Sequence, residues 1–184
     1  SYSYTVKYLE AVTNNVLAAS KSENAVFRST VTETAIAIDG YVLAGENSKT
    51  ITIDTENNVI TFYYAKRTDL SLNVNYVDKD SNEVLAAETK ASQVFGDVIT
   101  AESLKKNFKG YSFDSASADS VTIGTGTNEI TLYYTKNSYG YTVNYLEKGT
   151  DKVLAAAKTG TANYNQTVTE TAPAIKGYNL VGEN

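Results

Sequence analysis

The sequence predicts a β-rich α+β chain of tandem repeats, each a mixed sheet curled over one short helix in a β-grasp-like (ubiquitin-like) arrangement. Three observations predict it. The tetrapeptide VLAA occurs at Val16 to Ala19, Val84 to Ala87 and Val153 to Ala156, at steps of 68 and 69 residues. Self-similarity at a fixed period marks a repeat architecture. Each copy follows a segment in which apolar and polar residues alternate, the period of a half-buried strand. One copy carries a helix signature ahead of a Gly-Tyr pair. Small all-β sandwiches would satisfy the same strands and remain the alternative.

The opening strands are YTVKYLE at Tyr4 to Glu10, LNVNYVD at Leu72 to Asp78 and YTVNYLE at Tyr141 to Glu147. Tyr4, Val6 and Tyr8 share one face, and Thr5, Lys7 and Leu9 share the other. A polar hairpin turn follows at Ala11 to Asn15, Lys79 to Glu83 and Lys148 to Lys152, and VLAA begins the second strand. Next comes a helix or loop. Thr100 is placed to cap a helix over Ala101 to Lys105, with Gly110 as its stop. Pro173 shortens or removes the helix of the third copy. Gly40-Tyr41, Gly110-Tyr111 and Gly177-Tyr178 then turn the chain into a further strand, the glycine permitting the turn and the tyrosine anchoring the strand. Ile51 and Ile53 (with Val121 and Ile123) precede closing strands that read ITFYY at Ile60 to Tyr64 and ITLYY at Ile130 to Tyr134. The expected core positions are Val6/Val74/Val143, Tyr8/Tyr76/Tyr145 and Phe62/Leu132.

These spacings divide the chain into repeat 1 at residues 1–67, repeat 2 at 68–137 and a partial repeat 3 at 138–184. VGEN at the end of the third copy aligns with AGEN at Ala44 to Asn47, so counterparts of Ser48 to Ala65 are missing from it. A first strand without its closing strand leaves unpaired backbone and an open apolar face. The expectation is a piece of a longer chain, in which another strand completes the third module or the physical module begins elsewhere. A start near Ser48, for example, gives whole units at Ser48 to Ser117 and Ala118 to Asn184.

Composition narrows the function. Hydrophobic residues make up 42% and charged residues 20%, which suits a globular chain. The net charge of −5 argues against nucleic acid and anionic membrane surfaces. No apolar run approaches the roughly 18 residues of a membrane span. With no Cys and no His, the nucleophilic triads and thiolate metal sites have no side chains to work with. An enzyme is not expected, and no cofactor is.

The ordered set of YTVKYLE, LNVNYVDKD and YTVNYLE, the mid-repeat Gly-Tyr, and ITFYYAK and ITLYYTK resembles the MucBP module, the mucin-binding repeat of Gram-positive surface proteins. The resemblance covers nearly the whole chain. It implies a β-grasp-like fold, export, attachment to the cell wall and tandem display, and it implies adhesion to host mucin or another glycoprotein. The first turns EAVTNN, VDKDSNE and LEKGTDK depart from the family pattern, since only the third keeps its glycine, Gly149. A central Gly-Asp pair survives only as Gly96-Asp97.

Four groups of residues are candidate sites. Glu33 and Glu170 recur in TET, with Glu102 nearby, but no second carboxylate accompanies them as glycoside hydrolysis requires. Asp78, Asp80 and Asn82 begin like a calcium loop, yet Glu83 stands at the sharp-turn glycine and Thr89 at the bidentate acid, so the segment reads as a polar hairpin turn. Lys7 has Asn75 and Asn144 as counterparts, which gives no shared Lys-Asn crosslink. Of 15 tyrosines, Tyr63 and Tyr133 lie opposite the expected core face beside Thr61 and Thr131. Their rings suit stacking on sugars, or packing across the strands. Two functions stand: an adhesive module whose repetition raises avidity, or a stalk holding another domain away from the wall. The expected partners are host glycoprotein and the neighbouring repeats, not nucleic acid and not a membrane interior.

Overall fold

A computed structural model describes residues 1–182, so Glu183 and Asn184, the end of the third VGEN, lie outside the described residues. The first repeat contributes β1 (Tyr2–Glu10), β2 (Val16–Ala25), β3 (Thr30–Thr34), β4 (Tyr41–Leu43), β5 (Ser48–Thr52) and β6 (Val59–Lys66). The second contributes β7 (Leu70–Asp78), β8 (Val84–Gln93), β9 (Val98–Thr100), α1 (Ala101–Leu104), β10 (Tyr111–Ala116), β11 (Ser120–Thr122) and β12 (Glu129–Lys136). The third contributes β13 (Ser138–Leu146) and β14 (Val153–Asn163). The chain forms two compact units. One takes in Ser1–Asn75, Ala87–Leu104 and Ser117–Thr131; the other takes in Tyr76–Ala86, Lys105–Ala116 and the chain from Leu132.

In the first unit a mixed sheet has the order β2-β1-β6-β4. β1 and β2 are antiparallel, joined by a tight turn. β6 lies parallel to β1, with Val6 beside Ile60 and Tyr8 beside Phe62. This central parallel pair buries the alternating face: Val6 and Phe62 are 0% exposed and Tyr8 is 5% exposed. Tyr4, Ile53, Ile60 and Tyr64 complete the cluster. The sheet of the second repeat has the same order read from its other edge, β10-β12-β7-β8. In the second unit Phe108 packs between Tyr76 and Tyr134, with ring centroids 5.5 and 5.0 Å away. Among the described residues β13 pairs with β14 in a two-stranded sheet.

The expected short helix in each repeat is corrected. Among the described residues one helix occurs, the four residues of α1, where the Thr100 hydroxyl accepts the Ser103 N–H at 3.3 Å as a cap. In the first repeat β3 fills the stretch that matches β9, and residues 35–38 after it form no helix. Thr30–Thr34 (TVTET) alternates β-branched residues, which favours pleated backbone, and β3 pairs antiparallel with β5. β9 pairs with β11 in the same way. The strand ahead of the helix position was not anticipated, because three to five polar-rich residues give too short a period to read.

The first turn carries positive φ at one matching position in all three copies. Asn14, Asn82 and Asp151 take φ of 58°, 60° and 56°. Asn and Asp tolerate this left-handed region better than other side chains. Each turn closes the same way, with N–H groups of Asn14, Asn82 and Asp151 donating to the carbonyls of Glu10, Asp78 and Glu147.

Candidate functional site

The outer face of the first sheet carries Tyr63. It lies beside Leu9 in the parallel register and is 37% exposed. Lys49 Nζ stands 6.0 Å from its ring centroid. Tyr133 in β12 is half-buried and pairs with Ser115 across a bulge in β10. Tyr63 thus presents an aromatic surface flanked by Thr61, whereas Tyr133 presents a smaller one.

The TET glutamates have a structural place. Glu33 accepts hydrogen bonds from the Tyr4 hydroxyl at 2.7 Å and Lys21 Nζ at 2.8 Å. Glu170 accepts from the Tyr141 hydroxyl and Lys158 Nζ, both at 2.6 Å. The lysine ammonium, then the tyrosine hydroxyl, hold each carboxyl below the ordinary carboxylate range. The same contacts hold both tyrosine hydroxyls above their ordinary value. A carboxylate kept ionised by a paired ammonium is a tie between strands, and a poor proton donor. Glu102, in the helix of the second repeat, stands outside this pattern.

Asp78 is fully buried in the first turn of the second repeat. Its carboxylate accepts the N–H groups of Asp80 and Ser81 at 2.9 and 3.2 Å and pairs with Lys136 Nζ at 3.3 Å. Burial pushes its carboxyl up, but the two N–H groups and the ammonium outweigh this and hold it below the usual range. The calcium-like spelling therefore spends its first carboxylate on the turn itself. Among the described residues no three acidic side chains group as metal ligands would.

Two junctions between repeats share one design. In the first, a turn closed by Tyr41 N–H donating to Ile38 O (3.1 Å) holds Gly40 at φ 78°. The Phe95 ring lies against Gly40, where an added Cβ would come within 2.4 Å of it. Phe95 also meets Tyr41 edge to face at 5.6 Å. Arg67 N–H donates to Gly40 O and Phe95 N–H to Arg67 O, both at 2.9 Å. The second junction repeats every part. Gly110 has φ 81°, the Tyr164 ring lies against it, and Tyr111 meets Tyr164 edge to face at 5.9 Å. Asn137 N–H donates to Gly110 O at 2.8 Å and Tyr164 N–H to Asn137 O at 2.9 Å. Sequence reasoning placed a turn at Gly-Tyr and an anchoring tyrosine after it. It missed the aromatic seated on the glycine. The missed signal is an aromatic (Phe27, Phe95, Tyr164) 11 residues after the Val that opens each VLAA.

Among the described residues the clefts include two in the second unit. One of about 490 Å3 is lined by Tyr141, Val143, Ala162, Tyr164, Gln166 and Glu170. In the first two repeats Ile53 and Ile123 cover the corresponding surface, bonding to Arg28 and Ser29 and to Gly96 and Asp97. The cleft lies at the third repeat's counterparts, Asn165 and Gln166, of the residues to which those isoleucines bond. The other, of about 390 Å3, runs beside the second junction past Glu83, Phe108, Lys109, Tyr111, Lys136 and Tyr164.

Among the described residues no helix is long and apolar enough to cross a membrane. No curated protein matches the chain. Similar solved structures include Mub-RV, at 14% identity over 74% of this chain and 100% of that chain, with a TM-score of 0.28. Domains 3-4 of the Streptococcal High Identity Repeats in Tandem (SHIRT) from a cell surface protein match at 16% identity over 74% and 99%, with a TM-score of 0.30. The type 2 repeat of the mucus binding protein MUB from Lactobacillus reuteri matches at 14% over 74% and 100%, with a TM-score of 0.23. Scores of that size carry no weight for the fold, which stands on the strand pairing above. The MucBP domain matches residues 4–65, 71–135 and 142–184 in succession. With three consecutive matches over nearly its whole length, the chain belongs to the MucBP domain family.

Proposed function

We propose that the chain is an extracellular repeat module of a bacterial cell-wall surface protein, adhering to host mucin or another glycoprotein and without catalytic activity. The observation that carries this reading is the succession of three MucBP matches along one chain. Each repeat, at residues 1–67, 68–137 and 138–184, is one β-grasp-like module, the third in part. The sheet order with a central parallel pair supports that reading of the fold. Tyr63 and Tyr133 are the glycan-contacting residues. Tyr63 in particular offers an open ring beside a lysine and a threonine, groups that stack on and hydrogen-bond to a sugar. Single-module affinity is weak, and repetition raises avidity.

The test is binding of an immobilised, multivalent form of the chain to purified mucin, before and after deglycosylation. Glycan-dependent binding that falls in the Tyr63→Ala, Tyr133→Ala double variant supports the proposal. Glycan-dependent binding unchanged in that variant removes the two tyrosines from it. No binding to mucin or other secreted glycoproteins transfers the chain to the second reading, a stalk. One observation favours that reading: both junctions seat an aromatic ring and add two backbone hydrogen bonds, which suits a spacer of fixed geometry.

A further inference from the structure

Where the chain enters and leaves a repeat sets how a pull along it is felt. β6 ends at Lys66 and β7 begins at Leu70; β12 ends at Lys136 and β13 begins at Ser138. Tension along the array therefore leaves the last strand of one repeat and enters the first strand of the next. Within a repeat those two strands are neighbours. β1 and β6 run parallel, in register from Thr5 beside Val59 to Glu10 beside Tyr64. In the second repeat β7 lies beside β12. There Asn73 N–H donates to Asn128 O at 2.9 Å and Lys79 N–H to Tyr134 O at 2.8 Å, so the two strands advance together and are also parallel.

In a parallel pair the start of one strand and the end of the other lie at opposite ends of the ladder. A pull on those two points acts along the strands, and the evenly spaced ladder bonds carry it together. More than the ladder resists. Thr5 N–H donates to Asn58 O at 2.9 Å near the start of β1, and Ala11 N–H to Tyr64 O at 2.8 Å at the far end. The Asn58 side-chain amide donates to Ser3 O at 3.2 Å, and that of Asn128 to Ser71 O at 3.0 Å. Sliding β1 along β6 would also drag Val6 and Tyr8 past Ile60 and Phe62, all buried, with the Tyr8 and Phe62 rings stacked at 6.1 Å. Neither strand of the pair is an edge. β2 and β4 flank β1 and β6, and β8 and β10 flank β7 and β12. Flanking strands keep water from the ladder, where its bonds are stronger.

We infer that each of the first two repeats is a tension-bearing clamp: a pull along the chain loads its first and last strands in shear, and the repeat stays folded until the whole ladder gives way at once. The inference rests on the surface-repeat reading only for the source of the pull, since an adhesive module and a stalk are both strained between their two attachments. It involves no ligand, so its failure would leave mucin binding untouched, and the reverse.

The test is single-molecule force spectroscopy of the 184-residue chain tethered by its two termini. Two abrupt extensions are expected, each of about 200 Å, the length that residues 2–66 or 70–136 gain on stretching. A second geometry separates direction of pull from stability. The chain has no cysteine, so Glu56→Cys gives a single attachment point on the exposed turn ahead of β6. Pulling between that point and the N-terminus acts at the adjacent starts of β1 and β6 and opens their ladder one bond at a time. At equal pulling speed the first repeat should then yield at a force about threefold or more lower, because bonds loaded in turn resist less than bonds loaded together. The Glu56→Cys chain is pulled both ways, so one folded protein of one stability supplies both forces. Equal forces in the two geometries would overturn the inference, as would gradual extension without abrupt steps, or steps shorter than a whole repeat.

Discussion

The hairpin β1–β2 and the hairpin β13–β14 have nearly the same sequence and the same pairing, yet differ in what they bury. Tyr4 pairs with Glu23 and Leu9 with Val16; 137 residues on, Tyr141 pairs with Gly160 and Leu146 with Val153. Register shifts fall at the same places, after Val6 and Tyr8 and after Val143 and Tyr145. Val6 and Tyr8 are buried, whereas Val143 and Tyr145 are only half-buried. The difference is β6, which lies parallel against β1 and has no counterpart beside β13 among the described residues. A hairpin is set by its own turn and alternation. Its core exists only when a strand about fifty residues away arrives.

The largest effect expected from this comparison is at that strand. Phe62→Ala empties a fully buried site and should cost about 3–5 kcal/mol, while Val143→Ala should cost less than about 1 kcal/mol for a half-buried valine. Guanidinium denaturation, with hydrogen exchange followed at the amides of β1 and β13, separates the two. Equal losses would mean that the two hairpins are supported alike.

The second effect is at Asn58, which is 8% exposed. Its side-chain oxygen accepts the Asp54 N–H at 2.8 Å, and its amide donates to Ser3 O at 3.2 Å and Asp54 O at 2.9 Å. It fastens the start of β1 to the turn before β6. Asn128 does the same with Gly124 and Ser71 in the second repeat. Asn58→Ala strands these buried groups and should cost about 1–3 kcal/mol, measured by the shift in denaturation midpoint. An unchanged midpoint would show that the turn closes without it.

Third, Gly40→Ala and Gly177→Ala share the strain of a Cβ at positive φ, about 1–2 kcal/mol. Only Gly40→Ala also displaces an aromatic ring. It should lose the Phe95–Tyr41 contact in NMR cross-relaxation and cost more than Gly177→Ala. Equal costs would deny the ring any role at the junction.

The smallest effect is shared by both hairpins. The folded pKa of Glu33 lies below its ordinary 4.5, so its stabilisation is fully present above about pH 4.5 and is lost as pH falls through the folded value. Lys21 is well exposed, and solvent screens the pair. A carboxyl NMR titration should place Glu33 and Glu170 below the other glutamates, and Glu33→Gln should flatten the acid limb of the stability curve only slightly. Glu33 titrating at its ordinary value would break the tie drawn here.

Much of this was legible in the chain. The VLAA period located the repeats. The alternation in YTVKYLE and ITFYY located the strands and the buried faces, because side-chain direction in a strand follows from position alone. Thr100 announced the helix α1 through its capping hydroxyl. The outward placement of Tyr63 followed from the same parity. What was not legible depends on partners distant in sequence. TVTET became a strand because β5 pairs with it. Asn58 looked like an ordinary turn residue until Ser3, 55 positions earlier, came within reach of its amide. Phe95 read as one more apolar residue until the linker at Arg67 brought Gly40 beneath its ring. Local alternation and turn chemistry fixed the hairpins of this protein. Only the tertiary structure decided which are buried, and which aromatics join one repeat to the next, because burial and docking need a surface that the local segment does not contain.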